Sequence, residues 1–354
     1  MKSFESIGLT HEGDIGQAKR AVRRRAAEIG FNDRQLAEID IAINEIGSNA
    51  VKFGRGTGQL YFTPADPHLD PAGIEIIYTD KGPGIEDTSL AIEDGYTTAG
   101  SMGAGLGAIR RMADEFYIYS VIESQTRRLP LFGRTTHGTA IVFRKRLENG
   151  APERIGPSLW GIFTRAPAGE SHNGDAYVVR RNHNRYLLAV IDGLGHGLGA
   201  MEASQAAVIS IGENETEGVE NIVRRAHDAL RATRGVVLGL AAIDLSTGEV
   251  EYAGIGNADF RVLSGHGSQR FISINGTLGS RLDRVKVFRE KLPKVATIVM
   301  STDGISERWD PDNYPGLLGL HPQLLCAVVM RDYSRPKDDA TIVCGRLSFD
   351  LRDA

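Results

Sequence analysis

The chain has 354 residues, 41% of them hydrophobic, and a formal net charge of −4 at pH 7, which predicts about two soluble globular domains. This charge balance gives no general attraction to nucleic acid or to anionic lipid, so we expect neither as a partner. No apolar run approaches the ~20 residues that span a membrane, and the N-terminus has no signal-peptide core, so we expect a cytoplasmic location.

The first half of the chain predicts a mixture of helices and strands. Two helices are predicted in the first 53 residues, and the second runs from about Asp33, its expected N-cap, to Phe53. Apolar residues recur along it every three or four positions: Leu36, Ile39, Ile43, Ile46 and Ala50. We predict a helix from about Ala108 to Glu115 and strands at 60–63, 73–80, 116–121 and 139–143.

The second half is richer in strands. Helices are predicted at about 199–211 and 219–233, and strands at 175–180, 186–191, 236–244, 250–254, 260–263, 296–301 and 340–344. Runs of strands with two helices between them predict a layered α+β domain. The aperiodic stretch 148–157 contains Gly and Pro and predicts a linker, with one domain at 1–147 and another at 158–348.

Glu45 and Asn49 are the first candidate site residues. They are four residues apart on the predicted helix, so their side chains lie side by side at the edge of its apolar stripe. A carboxylate in that position can activate a hydroxyl nucleophile, and the amide oxygen can coordinate Mg²⁺. An exposed Glu–Asn pair without chemistry is the alternative.

Asp80 ends the apolar face of a predicted strand, where a carboxylate needs a hydrogen-bond donor such as the exocyclic amine of adenine. Gly82 and Gly84 then allow the backbone to pass close to a flat base. The run Gly103-Ala-Gly105-Leu-Gly107 precedes a predicted helix, where backbone N–H groups can bind phosphate. Each motif alone is weak, since an ordinary turn also explains Asp-x-Gly.

In this order, Glu-x-x-x-Asn, Asp-x-Gly-x-Gly and Gly-x-Gly-x-Gly resemble the GHKL ATPase and kinase superfamily, and in particular its anti-sigma-factor-type serine kinases and stressosome switch kinases. The resemblance covers about residues 8–145. It implies a Bergerat-type α/β sandwich that binds ATP and Mg²⁺, with Glu45 as catalytic base, Asn49 as Mg²⁺ ligand and Asp80 as adenine anchor. The nucleotide pocket would be completed by Gly82, Gly84, Gly103, Gly105, Leu106, Gly107 and Thr139.

Four acidic positions in the second half share a strand context. Asp192-Gly and Asp303-Gly each follow an apolar strand, Asp175 begins a strand, and Asp338-Asp339 directly precedes another. If these strand ends converge, the carboxylates repel one another unless cations lie between them. Two divalent ions could then hold a phosphate ester and activate water. Any single Asp-Gly is more often a turn.

This second pattern resembles the PP2C-like phosphatases of the sporulation and stress-response class, over about residues 158–348. The resemblance implies an α-β-β-α layered fold and two Mn²⁺ or Mg²⁺ ions. The implied ligands are Asp175, Asp192, the Gly193 carbonyl, Asp303 and Asp338. Asp339 competes with Asp338 for the last place. His196 could face the substrate, with an exposed loop position as the alternative.

Together the two resemblances predict an α+β chain that both adds and removes phosphoryl groups. The expected partners are STAS-domain antagonist or scaffold proteins of a partner-switching pathway, and a downstream phosphatase or sigma-factor regulator. A nucleotide-gated binding module without kinase turnover is the alternative. Two opposed activities on one residue would waste ATP. We therefore expect either that the two activities have different target residues or that a gate prevents them from acting together, and the linker is the first candidate for such a gate.

Overall fold

The computed structural model describes residues 3–93, 105–125, 136–148, 159–265 and 267–349. These residues form two units. Of the described residues, those up to 148 and Asp310–Asp332 form the N-terminal unit, and those from Leu159 to Trp309 and from 333 to 349 form the C-terminal unit. The predicted linker lies almost wholly outside the described residues, so the domain bounds stay a prediction. In the described part of the chain, no helix has the length and apolarity needed to cross a bilayer.

The N-terminal unit is built on one antiparallel sheet with the strand order β1-β2-β3-β5-β4. Its elements are β1 (Glu5–Leu9), α1 (Glu12–Ile29), α2 (Asp33–Phe53), β2 (Gly58–Pro64), β3 (Gly73–Thr79), α3 (Thr88–Ile92), α4 (Gly105–Met112), β4 (Glu115–Val121) and β5 (Gly138–Arg146). Helices α1, α2 and α4 pack on one face of the sheet. The predicted stripe from Leu36 to Ala50 forms the α2 side of this core.

Two sequence predictions for this unit need correction. The N-cap of α2 is Asn32 and not Asp33, because the Asn32 side chain accepts a hydrogen bond from the Gln35 N–H. Helix α4 begins at Gly105 and ends at Met112, so the last two glycines of the loop lie inside its first turn. Strand β1, which pairs with β2, was not predicted at all.

The C-terminal unit contains two antiparallel sheets. Their orders are β13-β10-β9-β8-β7 and β12-β11-β14-β15-β6. The elements are β6 (Trp160–Arg165), β7 (Asp175–Asn182), β8 (Arg185–Gly193), α5 (Leu198–Glu213), α6 (Val219–Ala229), β9 (Val236–Asp244), β10 (Glu249–Ile255), β11 (Asp259–Ser264), β12 (Gly267–Phe271), β13 (Phe288–Lys291), β14 (Val295–Ser301) and β15 (Ala340–Ser348). Strands β6, β12 and β13 were not predicted.

The two sheets of this unit pack face to face, and helices α5 and α6 cover the outer face of the first. Gly239 on β9 leaves room for the Met300 side chain of β14, since an added Cβ would lie 3.4 Å from its terminal carbon. Alanines of α5 and aliphatic residues of α6 share one core with β7, β8 and β9. The last helix, α7 (Pro322–Tyr333), falls almost entirely in the 310–332 segment of the N-terminal unit.

Candidate functional sites

Glu45 and Asn49 lie together at the start of α4, where the glycine-rich run ends. A Cβ added to Gly105 would be 3.4 Å from Glu45 Oε2, 3.4 Å from Asn49 Nδ2 and 3.8 Å from Asn49 Oδ1. Both side chains are half-buried, at the edge of the α2 stripe. The first turn of α4 therefore presents its unpaired backbone N–H groups beside a carboxylate and a carboxamide.

Asp80 is buried directly after β3, and its carboxylate organises the adjoining backbone. Oδ1 accepts hydrogen bonds from the Gly82 N–H at 2.7 Å and the Thr139 N–H at 3.1 Å. The Asp80 N–H in turn donates to the Thr139 carbonyl at 2.9 Å. Thr139 is thus placed beside Asp80, as its predicted role in the nucleotide pocket requires.

Close backbone contacts explain the glycines after Asp80. A Cβ on Gly82 would lie 2.3 Å from the Phe53 carbonyl oxygen, and one on Gly84 would lie 2.2 Å from the Val121 carbonyl oxygen. Gly84 also has a φ of 82°, in the region that side chains disfavour. Both positions therefore require glycine whatever binds nearby. Gly103 lies outside the described residues.

Asp175 and Asp192 face each other across β7 and β8. They are directly paired in the antiparallel register, a position where Cα atoms are about 4.5–5.5 Å apart. Asp175 is fully buried, and its Oδ2 accepts a 2.6 Å hydrogen bond from the Thr302 hydroxyl. The Gly193 N–H donates to the Gly174 carbonyl at 3.1 Å, which fixes the end of this strand pair.

The remaining carboxylates approach from β14 and β15. Asp303 Oδ2 accepts a 2.8 Å hydrogen bond from Asn257 Nδ2 and lies 3.9 Å from the guanidinium of Arg335. Asp338 and Asp339 precede β15, and an added Cβ on Gly304 would lie 1.8 Å from the Asp339 carbonyl oxygen. The ends of four strands in two sheets thus bring the predicted acidic residues together.

The carboxylates of this cluster are buried or half-buried and lie close enough to repel one another. Burial raises the pKa of Asp192 to about 7, and repulsion from Asp303 and Asp338 adds to that rise. Burial and the Asp192 charge raise the pKa of Asp175 well above its ordinary value. The pKa of Asp303 is raised by burial and by Asp338. An uncompensated group of this kind favours binding of cations or protons.

Comparisons with known proteins match both halves of the chain. Residues 10–128 match the histidine kinase-like ATPase domain, and residues 182–348 match the family of stage II sporulation protein E, SpoIIE. Serine/threonine-protein kinase RsbT of Bacillus subtilis is 36% identical over 121 residues, which are 34% of this chain and 90% of RsbT. The chain is a fusion of an RsbT-like kinase domain and a SpoIIE-type phosphatase domain.

Relatives of the phosphatase domain agree with this division. Phosphoserine phosphatase RsbX of Bacillus subtilis is 28% identical over 183 residues, which are 51% of this chain and 90% of RsbX. A chain solved in work on the bacterial stressosome as a modular system is 31% identical, with a TM-score of 0.50, and covers 53% of this chain and 98% of its own length. The α+β fold class, with a GHKL-type domain followed by a PP2C-like domain, is therefore confirmed.

The carboxylate donors of the phosphatase domain suit hard divalent cations. Asp339 Oδ1 is buried without a hydrogen-bond partner, an arrangement that a cation or a metal-bound group would relieve. Across the described residues, however, no three Asp, Glu, His or Cys side chains are close enough to enclose a single ion. Ions in this cluster would therefore also need water or carbonyl ligands, such as the Gly193 carbonyl.

The two candidates for the last ligand, Asp338 and Asp339, both interact with the cluster. The charge of Asp338 raises the pKa of Asp192 and Asp303, and the charge of Asp339 raises the pKa of Asp192 and Asp175. Asp339 also accepts a hydrogen bond from the Gly174 backbone, and its pKa is raised to about 6, chiefly by burial. Asp338 as the ligand therefore stays a prediction. His196 is exposed and lies 3.4 Å from Glu170, which favours the loop alternative.

Sequence reasoning missed several polar groups around the two sites. Thr302 and Asn257 bind the carboxylates of Asp175 and Asp303. In the kinase domain, buried His137 lies with Nδ1 2.7 Å from the Gly82 carbonyl and supports the turn after Asp80. The positions of Thr302, one residue before Asp303, and of Asn257, in a Gly-Ile-Gly-Asn run, were the available signals.

Proposed function

We propose that the kinase domain binds ATP with Mg²⁺ and phosphorylates Ser or Thr of STAS-domain antagonist or scaffold proteins. The observation that carries this proposal is the packing of Gly105 against Glu45 and Asn49. Glu45 would accept the proton of the attacking hydroxyl, and Asn49 would hold Mg²⁺, which neutralises phosphate charge when bound. The Asp80 carboxylate would accept a hydrogen bond from the exocyclic amine of adenine, and the α4 N-terminus would face the phosphates.

The phosphatase domain is proposed to remove phosphate from phosphoserine or phosphothreonine proteins of the same pathway. Asp175, Asp192, Asp303, Asp338 and the Gly193 carbonyl would hold two Mn²⁺ or Mg²⁺ ions. Such ions activate water and neutralise the phosphate ester. Support comes from the raised pKa values of three of these carboxylates and from similarity to RsbX, a phosphoserine phosphatase. The likeness to RsbT and to a stressosome study supports STAS-domain partners.

The kinase half is tested with purified full-length protein, γ-labelled ATP and STAS-domain proteins encoded near this chain. Glu45→Gln is expected to lower phosphoryl transfer by about 10²–10⁴-fold while nucleotide still binds. The matched control is Glu28→Gln, which changes an exposed carboxylate paired with Arg25 on α1. Unchanged transfer by Glu45→Gln would refute the kinase assignment.

The same assay distinguishes the nucleotide-gated alternative. If ATP binds but no STAS-domain protein is phosphorylated, while nucleotide changes partner binding, then the N-terminal domain is a binding module.

For the phosphatase half, Asp192→Asn should abolish Mn²⁺-dependent release of phosphate from a phosphoserine protein. Retained release would refute the proposed metal site.

A further inference from the structure

The segment Asp310–Asp332 lies in sequence inside the phosphatase domain yet belongs by its contacts to the N-terminal unit. It begins seven residues after Asp303 and ends six residues before Asp338. Two of the proposed metal ligands therefore flank it directly in the chain. The segment contacts the kinase domain at two places.

One group of contacts is made to the residues that follow β3. The Arg331 guanidinium donates from Nη1 to the Asp80 carbonyl oxygen at 2.9 Å. The neighbouring Asp332 carboxylate lies 3.5 Å from Lys81 Nζ. Asp80 is the proposed adenine anchor, so this contact is made to the backbone of the residue whose side chain would bind the base.

The Arg331–Asp332 pair is itself rigidly held. Arg331 donates from Nε and Nη2 to the two oxygens of Asp332, at 3.0 and 2.7 Å. The Tyr314 hydroxyl adds a third hydrogen bond to this carboxylate at 2.8 Å. The side chains of Arg331 and Asp332 are only 5% and 4% exposed. Two buried charges with satisfied partners resist displacement, because separating them would leave each unpaired.

A second group of contacts lies on β4. Phe116 and Ile118 face the core shared with α1 and α2, so Tyr117 and Tyr119 face the opposite side of the sheet. Tyr117 stacks on His321 with ring centroids 4.3 Å apart. The Tyr119 hydroxyl donates to the Pro315 carbonyl at 3.3 Å. The segment thus docks on the helix-free face of the sheet as well as on Asp80.

Helix α7, which carries this pair, is apolar and buried along most of its length. Its side chains from Gln323 to Met330 are at most 2% exposed: Gln323, Leu324, Leu325, Cys326, Ala327, Val328, Val329 and Met330. Because close-packed side chains leave little room for internal rearrangement, we expect this short helix to respond to displacement as one body.

We propose that Asp310–Asp332 is an allosteric connector through which nucleotide bound at Asp80 changes the metal affinity of the phosphatase site. This rests on the proposed nucleotide and metal sites. Adenine bound to the Asp80 carboxylate fixes the carbonyl that accepts from Arg331, and this holds the segment in its docked position. A fixed segment restricts the positions of Asp303 and Asp338 at its two ends. Ligands restricted in this way bind a cation more tightly.

The coupling is tested in the full-length protein with three readouts. The first is the half-saturating Mn²⁺ concentration for hydrolysis of p-nitrophenyl phosphate, with and without ADP. The second is the affinity for a fluorescent ADP analogue, with and without Mn²⁺. The third is hydrogen–deuterium exchange of peptides from 310–333. We expect ADP to lower the half-saturating Mn²⁺ concentration at least fivefold, Mn²⁺ to tighten ADP binding by the same factor, and ADP to slow exchange in the segment.

Arg331→Gln is expected to abolish the shift while the phosphatase rate at saturating Mn²⁺ is retained. The matched control, Arg224→Gln, removes an exposed arginine paired with Glu220 on α6 and should keep the shift. If Arg331→Gln does not fold, Tyr119→Phe removes only the hydrogen bond to Pro315 and should reduce the shift. The exchange measurement needs no substitution.

Two negative results of these measurements would lead to different conclusions. Tight binding of the ADP analogue with an unchanged Mn²⁺ requirement and unchanged exchange would overturn the connector and leave the proposed activities intact. Absence of nucleotide binding would overturn the nucleotide site and the connector with it. An unchanged shift in folded Arg331→Gln would also refute the connector.

Discussion

Replacement of Asp192 by asparagine is expected to stabilise the metal-free protein and to inactivate the phosphatase. Asp192 lies opposite Asp175 and near three more carboxylates, and its pKa is raised to about 7 by burial and by these charges. Without metal, the fold must hold this charge at neutral pH, and asparagine removes it. The same substitution removes a proposed metal ligand, so Mn²⁺ should no longer stabilise the domain.

The expected magnitude follows from the pKa. A rise from 3.8 to about 7 corresponds to an upper limit of about 4 kcal/mol, at 1.36 kcal/mol per pKa unit. Because the folded state binds this proton more tightly than the unfolded state, the penalty is absent below pH ~4. It grows as pH rises and is complete above pH ~7. The advantage of Asp192→Asn should therefore be large at pH 7.5 and vanish near pH 4.

The difference in stability between Asp192→Asn and the wild type is measured by thermal unfolding in EDTA at several pH values. The unfolding transition of the phosphatase domain is identified as the one that Mn²⁺ shifts in the wild type. The matched control is Asp244→Asn, an aspartate whose pKa is lowered by hydrogen bonds from Ser246 and Thr247. The Asp244→Asn substitution should not stabilise the protein. If Asp192→Asn is no more stable than the wild type at pH 7.5 in EDTA, or if Mn²⁺ still raises its unfolding temperature, the reasoning is wrong.

Three further outcomes test other residues. Gly105→Val should weaken binding of an ADP analogue at least tenfold, because the valine side chain would fill the space beside Glu45 and Asn49. Hydrolysis of p-nitrophenyl phosphate, measured without nucleotide and without EDTA, should not change. Gly84→Ala should lower the free energy of unfolding by at least ~1–2 kcal/mol, the cost of a left-handed backbone, as urea titration would show. Asp338→Asn should abolish the Mn²⁺-induced rise in unfolding temperature and Asp339→Asn should retain it; the reverse would exchange their roles.

Sequence patterns predicted the long elements well because α2 is buried along one side and β9 is a continuous apolar run. The bounds of α2, Asp33–Phe53, and of β9, Val236–Asp244, agree with the predicted ones. The N-cap of α2 was misplaced by one residue because Asn32 and Asp33 are both favoured caps, and only the geometry shows which accepts the Gln35 N–H. The early start of α4 was missed because glycine disfavours helices, a preference that tertiary packing overrides here.

The missed elements depend on partners far away in sequence. Strand β6 is stabilised by pairing with β15, where Trp160 lies opposite Gly345. Helix α7 has no polar face, so its pattern shows no helical period. The acidic site residues were recognisable because each ends or begins a strand. The hydrogen bond from Thr302 to Asp175 was not predicted, because Thr302 follows a strand of the other sheet and its position beside Asp303 does not show which carboxylate it reaches.

The docked segment also determines how this protein can be divided. A cut in the predicted linker gives a first fragment without Asp310–Asp332, the part of its own unit that contacts Asp80 and Tyr117. The second fragment would keep α7 without the kinase domain, so buried Arg331 and Asp332 would lose their contacts with Asp80 and Lys81. Fragments made at this boundary should therefore express poorly or aggregate. A circular permutant or an intact chain is the better material for studying either activity.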